Sequence, residues 1–257
     1  MKIVTCYKVV PEDQDIVINS DRTLKLDNAD AKISPYDLNA VEAAVQIKES
    51  LPESSVVGIS VGGRKYLENQ KVRKDILSRG PDSITLVVDD DLAGLLPAET
   101  AAVLAAAIEK EGFDLVLCGE GSGDLYAQQV GTLLGQKLGV SNINAVSKIT
   151  VNGGVAVVER SLDDEVETLE ITLPAVLSVT SDINVPRLPS MKAILAAGKK
   201  PTTVLSATDV NGAALVPTSL LSSVTAPKQM DRKREIIAND SEESIKAFTE
   251  LVRKAIN

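Results

Sequence analysis

The segment Asp114–Gly131 constrains the fold more than any other. Its apolar stretch Leu115-Val116-Leu117-Cys118 has the composition of a buried parallel strand. Glycines follow at every second position, Gly119, Gly121 and Gly123, and a helical pattern begins near Leu125 and runs through Val130, Leu133, Leu134 and Leu138. Strand, glycine loop and helix in that order set free backbone N–H groups and the positive end of a helix dipole in front of a phosphate. Glycine lets the backbone come close and take positive φ. The spacing is neither the dinucleotide fingerprint nor a P-loop, since no Gly-Lys-Ser/Thr follows. A tight strand-to-helix turn without a ligand is the other reading of the same residues.

Composition narrows the class. With two Phe, four Tyr and no Trp, the core must be Leu, Val, Ile and Ala, as in parallel strands sandwiched by helices. A net charge of −9 and the lack of a stacking platform argue against nucleic acid. The chain has no histidine, which removes Ser-His-Asp and Cys-His catalysis and His-ligated zinc. Cys6 and Cys118 cannot make a four-ligand metal site; both end apolar strands, as buried thiols in a reducing compartment do. The chain runs from Met1 straight into an apolar strand and contains no run of membrane-spanning length, so a cytoplasmic protein without membrane insertion is expected.

The rest of the chain alternates strand and helix. Strands are predicted at Lys2–Lys8, Val56–Val61 and Ile84–Val88, with helices at Tyr66–Ser78 and Pro97–Lys110 and a hairpin-like loop over Pro11–Lys32. Ser34-Pro35-Tyr36-Asp37 opens another helix: Ser34 suits the N-cap, Pro35 the first helical position, and Asp37 can complete the cap. Its buried stripe draws on Leu38, Val41, Val45 and Leu51. Beyond Gly139, Val146–Val151, Val155–Arg160 and Val166–Thr172 alternate as antiparallel strands do, with Asn152-Gly153-Gly154 as a turn. Leu173–Val179 is another buried strand, Thr208–Gln229 is loop-like, and a helix closes the chain from about Ser241 to Ile256. The expected fold class is α/β: a Rossmann-like, mostly parallel sheet with helices on both faces, a few antiparallel strands and a C-terminal helical arm. The expected division is a nucleotide-binding domain at 1–207 and a linker with the arm at 208–257.

Five segments, in order and spacing, resemble the β-subunit of an electron-transfer flavoprotein, in the Fix-type branch. They are Cys6-Tyr7-Lys8-Val9-Val10-Pro11; Ser34 through Glu42; Asp114–Gly131; Val158-Glu159-Arg160 through Glu167 to Leu173-Pro174-Ala175-Val176; and Asn184-Val185-Pro186-Arg187-Leu188-Pro189-Ser190-Met191-Lys192-Ala193. Within the glycine loop, Gly119, Asp124, Gln129, Val130 and Gly131 match the family, while Glu120–Tyr126 otherwise replace its usual basic, Gln and acidic residues.

The resemblance implies a heterodimer with an α-subunit that carries FAD and shuttles electrons from an acyl-CoA dehydrogenase-type flavoprotein. It implies an electron carrier subunit rather than an enzyme, with FAD held mainly by the α-subunit and AMP or a second FAD in this chain. Carried onto this sequence, the nucleotide site is Cys6, Ser34, Pro35, Tyr36, Asp37, Val61, Gly119, Gly121, Ser122, Gly123, Asp124, Gln128, Gln129 and Val130. Arg187, Leu188, Pro189 and Met191 resemble the loop that places a leucine in a pocket of the partner dehydrogenase; a Pro-rich connector with Leu188 in the core is the other reading. Lys192, Lys199 and Lys200 are expected to form a solvated basic patch. The arm helix gathers Ile245, Phe248, Leu251, Val252 and Ile256 on one face, to be covered by its own domain or by the α-subunit. The resemblance extends to anaerobic acyl-CoA or carnitine-derivative reduction. Two other function classes stand beside it. One is a stand-alone AMP- or ATP-binding module of the stress-protein type. The other is an adenylating or hydrolytic enzyme, disfavoured by the missing Walker lysine and histidine.

Overall fold

A computed structural model describes residues 1–210, 220–228, 234, 236, 237 and 239–256. In chain order the elements are β1 (Lys2–Cys6), β2 (Val9–Pro11), β3 (Val17–Ile18), β4 (Leu24–Lys25), β5 (Ala31–Ile33), α1 (Pro35–Ser50), β6 (Ser55–Gly62), α2 (Arg64–Leu67), α3 (Gln70–Ser78) and β7 (Ser83–Val88). Then come α4 (Pro97–Glu111), β8 (Leu115–Gly119), α5 (Val130–Leu138), β9 (Ser141–Asn152), β10 (Val155–Ser161), β11 (Val166–Thr172), β12 (Ala175–Val179), α6 (Met191–Ala197), β13 (Thr202–Leu205) and α7 (Glu242–Ile256).

Among the described residues, nine strands form one sheet in the order β11-β10-β9-β12-β8-β1-β6-β7-β13. It is parallel from β9 through β13, and β10 and β11 add an antiparallel extension at one edge. The central strands are buried on both faces, so they are continuous Val, Ile and Leu runs rather than alternating ones. On one face, Ala40, Ala43, Ala44 and Ile47 of α1 pack against Ile3, Val56, Leu115 and Leu117, and α2, α3 and α6 continue that layer against Ile84, Leu86 and Val88. On the other face, Ala101, Leu104, Ala105 and Ile108 of α4 and Leu134 of α5 cover Val4, Val57, Ile59 and Val116. The doubly wound α/β class is the one expected from the sequence.

Several boundaries differ from those expected. The helix placed at 66–78 is two helices, because Asn69 leaves the helical path and its side chain caps α3 by accepting the N–H groups of Lys71 (2.9 Å) and Val72 (3.5 Å). β9 starts at Ser141 rather than Val146: its first half pairs in parallel with β12, and its second half turns antiparallel to β10. The Asn152-Gly153-Gly154 turn is as expected. Gly153 and Gly154 both take positive φ (53° and 90°), which a two-residue hairpin of this twist requires. The Pro11–Lys32 loop contains a β3–β4 hairpin, and its ends bring β2 and β5 together. Thr225 bridges back to Thr23, and the Ala226 N–H donates to the Arg22 carbonyl (2.9 Å), so residues 225 and 226 lie on that hairpin. Of the expected loop at 208–229, residues 211–219 and 229 lie outside the described residues, and Thr208–Val210 is a single 3-10 turn. Most of the charged run at 228–235 lies outside them too. No residue of α7 is buried, and Phe248 is 57 % exposed. No described helix is long and apolar enough to cross a membrane.

Candidate functional site

β1 is followed by α1 on one face and β8 by α5 on the other, so the two connections leave the sheet in opposite directions. The carboxyl ends of β1 and β8 therefore open a crevice, the place where open α/β sheets bind ligands. β1 and β8 pair in parallel through Thr5↔Leu117, which sets Cys6 and Cys118 side by side at the rim. Both are free and buried. A hydrogen bond with Cys118, together with burial, pushes the Cys6 thiol well up.

Asp37, in the first turn of α1, ties this rim together. Its Oδ2 accepts the Lys8 backbone N–H at 2.7 Å, and the same carboxylate accepts from the Gly119 N–H and the Ser34 hydroxyl. Burial drives its pKa up to about 7 against the pull of those donors. Asp37 therefore does not complete the helix cap as expected, and Ser34 makes no side-chain cap bond either. Ser34 Oγ, fully buried, instead accepts the Gly123 N–H at 3.3 Å. These bonds bind the start of α1 to both ends of the glycine loop.

The glycines work differently from the sequence expectation. None of Gly119, Gly121 and Gly123 has positive φ; in this loop the left-handed positions are Tyr126 (47°) and Gln128 (56°). Gly119 is needed because a Cβ there would lie 2.7 Å from the Tyr36 carbonyl and the Asp37 carboxylate. At Gly121 the obstacle is the Tyr126 ring, 2.5 Å away; that ring in turn rests on Tyr36, with centroids 4.9 Å apart. A Cβ on Gly123 would meet nothing closer than Pro35 Cδ at 3.4 Å, so its small size is not demanded by packing. The helix also starts later than expected, at Val130 rather than Leu125, with Gln129 as N-cap. Gly131 in its first turn must be glycine, since a Cβ would fall 2.0 Å from Ser178 Oγ.

The structure thus gathers the expected residues at one crevice. Cys6, Val61 and Val130 belong to the apolar cluster beneath it. Ser34, Pro35, Tyr36 and Asp37 form one wall, and Gly119 to Gln129 form the rim. Gln128 and Gln129 are exposed, and Gln128 bonds the Tyr126 hydroxyl. The acidic side chains are engaged by neighbouring groups of the protein. Glu120 turns to the Ser181 N–H (3.2 Å), and Asp124 pairs with Lys8 at 2.6 Å. Lys8 was missed in the sequence because its role depends on strand pairing rather than on a motif. The set offers an apolar floor, the Ser122 hydroxyl and loop amides, with the one rim lysine, Lys8, held by Asp124.

The second candidate surface is the segment after β12. Asn39 Nδ2 donates to the Ser181 and Asn184 carbonyls (3.0 and 2.9 Å), and Asn184 Nδ2 returns a bond to the Asn39 carbonyl (3.0 Å). Leu188 is 88 % exposed and Val185 89 %, so Leu188 is not in the core. Arg187 is taken up by Glu42 and Glu49 of α1. Met191 is the first residue of α6, a helix the sequence did not announce, with Ser190 Oγ capping it through the Ala193 N–H (3.2 Å). Lys192 and Lys199 are exposed. Lys200 is not part of a solvated patch: its Nζ donates to the Leu77 and Pro81 carbonyls (2.7 and 2.5 Å), and burial lowers its pKa. It closes the end of α3.

Fold and crevice together define a doubly wound α/β protein with a crevice at its switch point. The electron transfer flavoprotein domain matches residues 23–210, most of the chain. This chain belongs to the electron transfer flavoprotein family, whose members are electron carriers.

Proposed function

We propose that this chain is the β-subunit of a heterodimeric electron-transfer flavoprotein of the Fix-type branch. It acts in the cytoplasm and passes electrons from an acyl-CoA dehydrogenase-type flavoprotein to a redox partner, in anaerobic acyl-CoA or carnitine-derivative reduction. FAD, held mainly with the α-subunit, supplies the electron-accepting ring. The observation that carries the reading is the convergence of Cys6, Ser34–Asp37, Val61 and Gly119–Val130 at the β1/β8 crevice.

In this reading the crevice holds AMP or a second FAD. Lys8, Ser122 and the amides that open α5 meet its phosphate and ribose, Ser34 holds the loop in place through the Gly123 N–H, and Cys6, Val61 and Val130 lie beneath its base. Residues 208–257 form the arm, whose apolar α7 face covers the α-subunit. Leu188, with Pro189 and Met191, enters a pocket on the electron donor. The uncovered α7 face favours an obligate partner over a stand-alone nucleotide-binding module.

Co-expression with an α-subunit of the family tests this. The expected product is a yellow heterodimer that releases FAD and an adenine nucleotide on denaturation. A colourless monomer that binds ATP tightly by itself would replace this reading with the stand-alone module.

A further inference from the structure

We propose that Arg187 is the positioning residue of the docking loop: it fixes how Leu188 is presented, without touching the electron donor itself. This rests on the docking reading given above. Arg187 is held at every polar group it has. Its Nε and Nη2 fork onto Glu42 (2.7 and 2.9 Å), and its Nη1 and Nη2 reach Glu49 (2.6 and 3.1 Å). Its backbone N–H also donates to Glu42 (3.1 Å), and its carbonyl accepts from Arg79 Nη1 (3.2 Å).

Glu42 and Glu49 stand two turns apart on one face of α1, the helix whose first turn ties the glycine loop. Exposed ion pairs usually contribute little. Here the Glu42 side chain is only 7 % exposed. Burial pushes its carboxyl up, and the bonds from Arg187 outweigh that and hold it below the ordinary glutamate value. The geometry is a bidentate fork, which a lysine cannot copy.

The neighbours of Arg187 do the opposite. Val185 and Leu188 point into solvent at 89 % and 88 % exposure, and Pro186 and Pro189 restrict the chain on both sides. An inward arginine between outward apolar side chains is how a short loop is ordered before its partner arrives, so that docking loses less chain entropy. With most of its N–H donors engaged, the guanidinium has little left to offer a partner.

The test uses the heterodimer and, as electron donor, whichever purified acyl-CoA dehydrogenase, short- or medium-chain, reduces the wild type faster. Apparent KM for the heterodimer, kcat and melting temperature are measured for Leu188→Ala, Arg187→Lys, Arg187→Met and Arg187→Met with Leu188→Ala. Arg187→Lys keeps a charge opposite Glu42 and so protects the fold; it should raise KM by about threefold or more at unchanged kcat. Arg187→Met should raise KM about tenfold, a loss of about 1.4 kcal/mol in affinity. The double variant should be no worse than about twofold beyond Leu188→Ala, because the two residues act through one contact.

A lower melting temperature with unchanged KM in the arginine variants makes Arg187 merely structural and overturns the proposal. So does a double variant whose KM is the product of the two single effects, since Arg187 would then contact the donor directly. If Leu188→Ala leaves KM unchanged, or neither dehydrogenase reduces the wild type, the docking reading falls first.

Discussion

Asp37 Oδ2 stands 2.7 Å from the backbone nitrogen of Lys8, so the first turn of one helix holds the chain leaving the central strand. The same carboxylate takes the Gly119 N–H at the end of the neighbouring strand. One buried side chain thus sets the spacing of the two strand ends that make the crevice.

Asp37→Asn tests that clamp. An amide presents an acceptor on only one side, so a backbone donor loses its partner, at a cost of about 1–3 kcal/mol. The pH dependence has a definite sign. Burial raises the carboxyl from 3.8 to about 7, so the folded state binds the proton more tightly than the unfolded one. The stability from this group is fully present below about pH 4 and is lost as pH rises through 7. The advantage of wild type over Asp37→Asn should therefore shrink by about 2 kcal/mol between pH 5 and pH 7.5. Urea unfolding at both pH values measures it; a pH-independent difference contradicts the assignment.

The loop glycines should separate into two kinds. Gly119→Ala drives a methyl group against the Tyr36 carbonyl and should cost about 1–3 kcal/mol or more. The Cβ that Gly123→Val adds meets only ordinary contacts; its melting temperature should stay near wild type while nucleotide retained by the purified complex falls sharply. Chromatography of released nucleotide beside thermal melting distinguishes them. Equal retention in Gly123→Val places the nucleotide elsewhere.

Leu188→Ala should slow electron transfer from the donor at least about tenfold, as loss of a buried interface anchor does. At 88 % exposure the side chain has no core packing to lose, so flavin content and melting temperature should not change. Stopped-flow reduction and a melting curve on the same preparation decide it; a drop in stability with normal transfer would contradict the docking role.

The α7 face carries no buried residue in this chain. Ending the chain at residue 238 should leave a folded domain that no longer co-purifies with its partner subunit. Size-exclusion chromatography of the co-expressed pair shows this; a retained heterodimer would place the main interface on residues 1–210.

How much of this was legible in the sequence depends on how local each feature is. The buried strands β1, β6, β7, β8 and β12 stand out as Val/Ile/Leu runs because both of their faces are covered. The crevice residues could be named because Gly119–Gly131 and Ser34–Asp37 are compact segments. What those residues do was not legible. Asp37 and Ser34 looked like a local helix cap, yet they serve partners on other strands: Lys8, Gly119 and Gly123. The loop glycines looked like carriers of positive φ, yet Gly119 and Gly131 are set by close packing against Tyr36 and Ser178. Arg187 looked like a partner contact because nothing in the chain announces that Glu42 and Glu49, about 140 residues away, come to meet it. Short elements that depend on tertiary support, such as α6 and β13, carry too little periodicity to be seen.

The most direct test of the account is the absorption spectrum and nucleotide content of the purified heterodimer, made with wild-type chain and with Gly123→Val. The wild type is predicted to carry stoichiometric flavin that bleaches on reduction, together with an adenine nucleotide or second flavin that Gly123→Val fails to retain. A complex with no flavin, or a wild-type chain that forms no heterodimer and is stable alone, would contradict it.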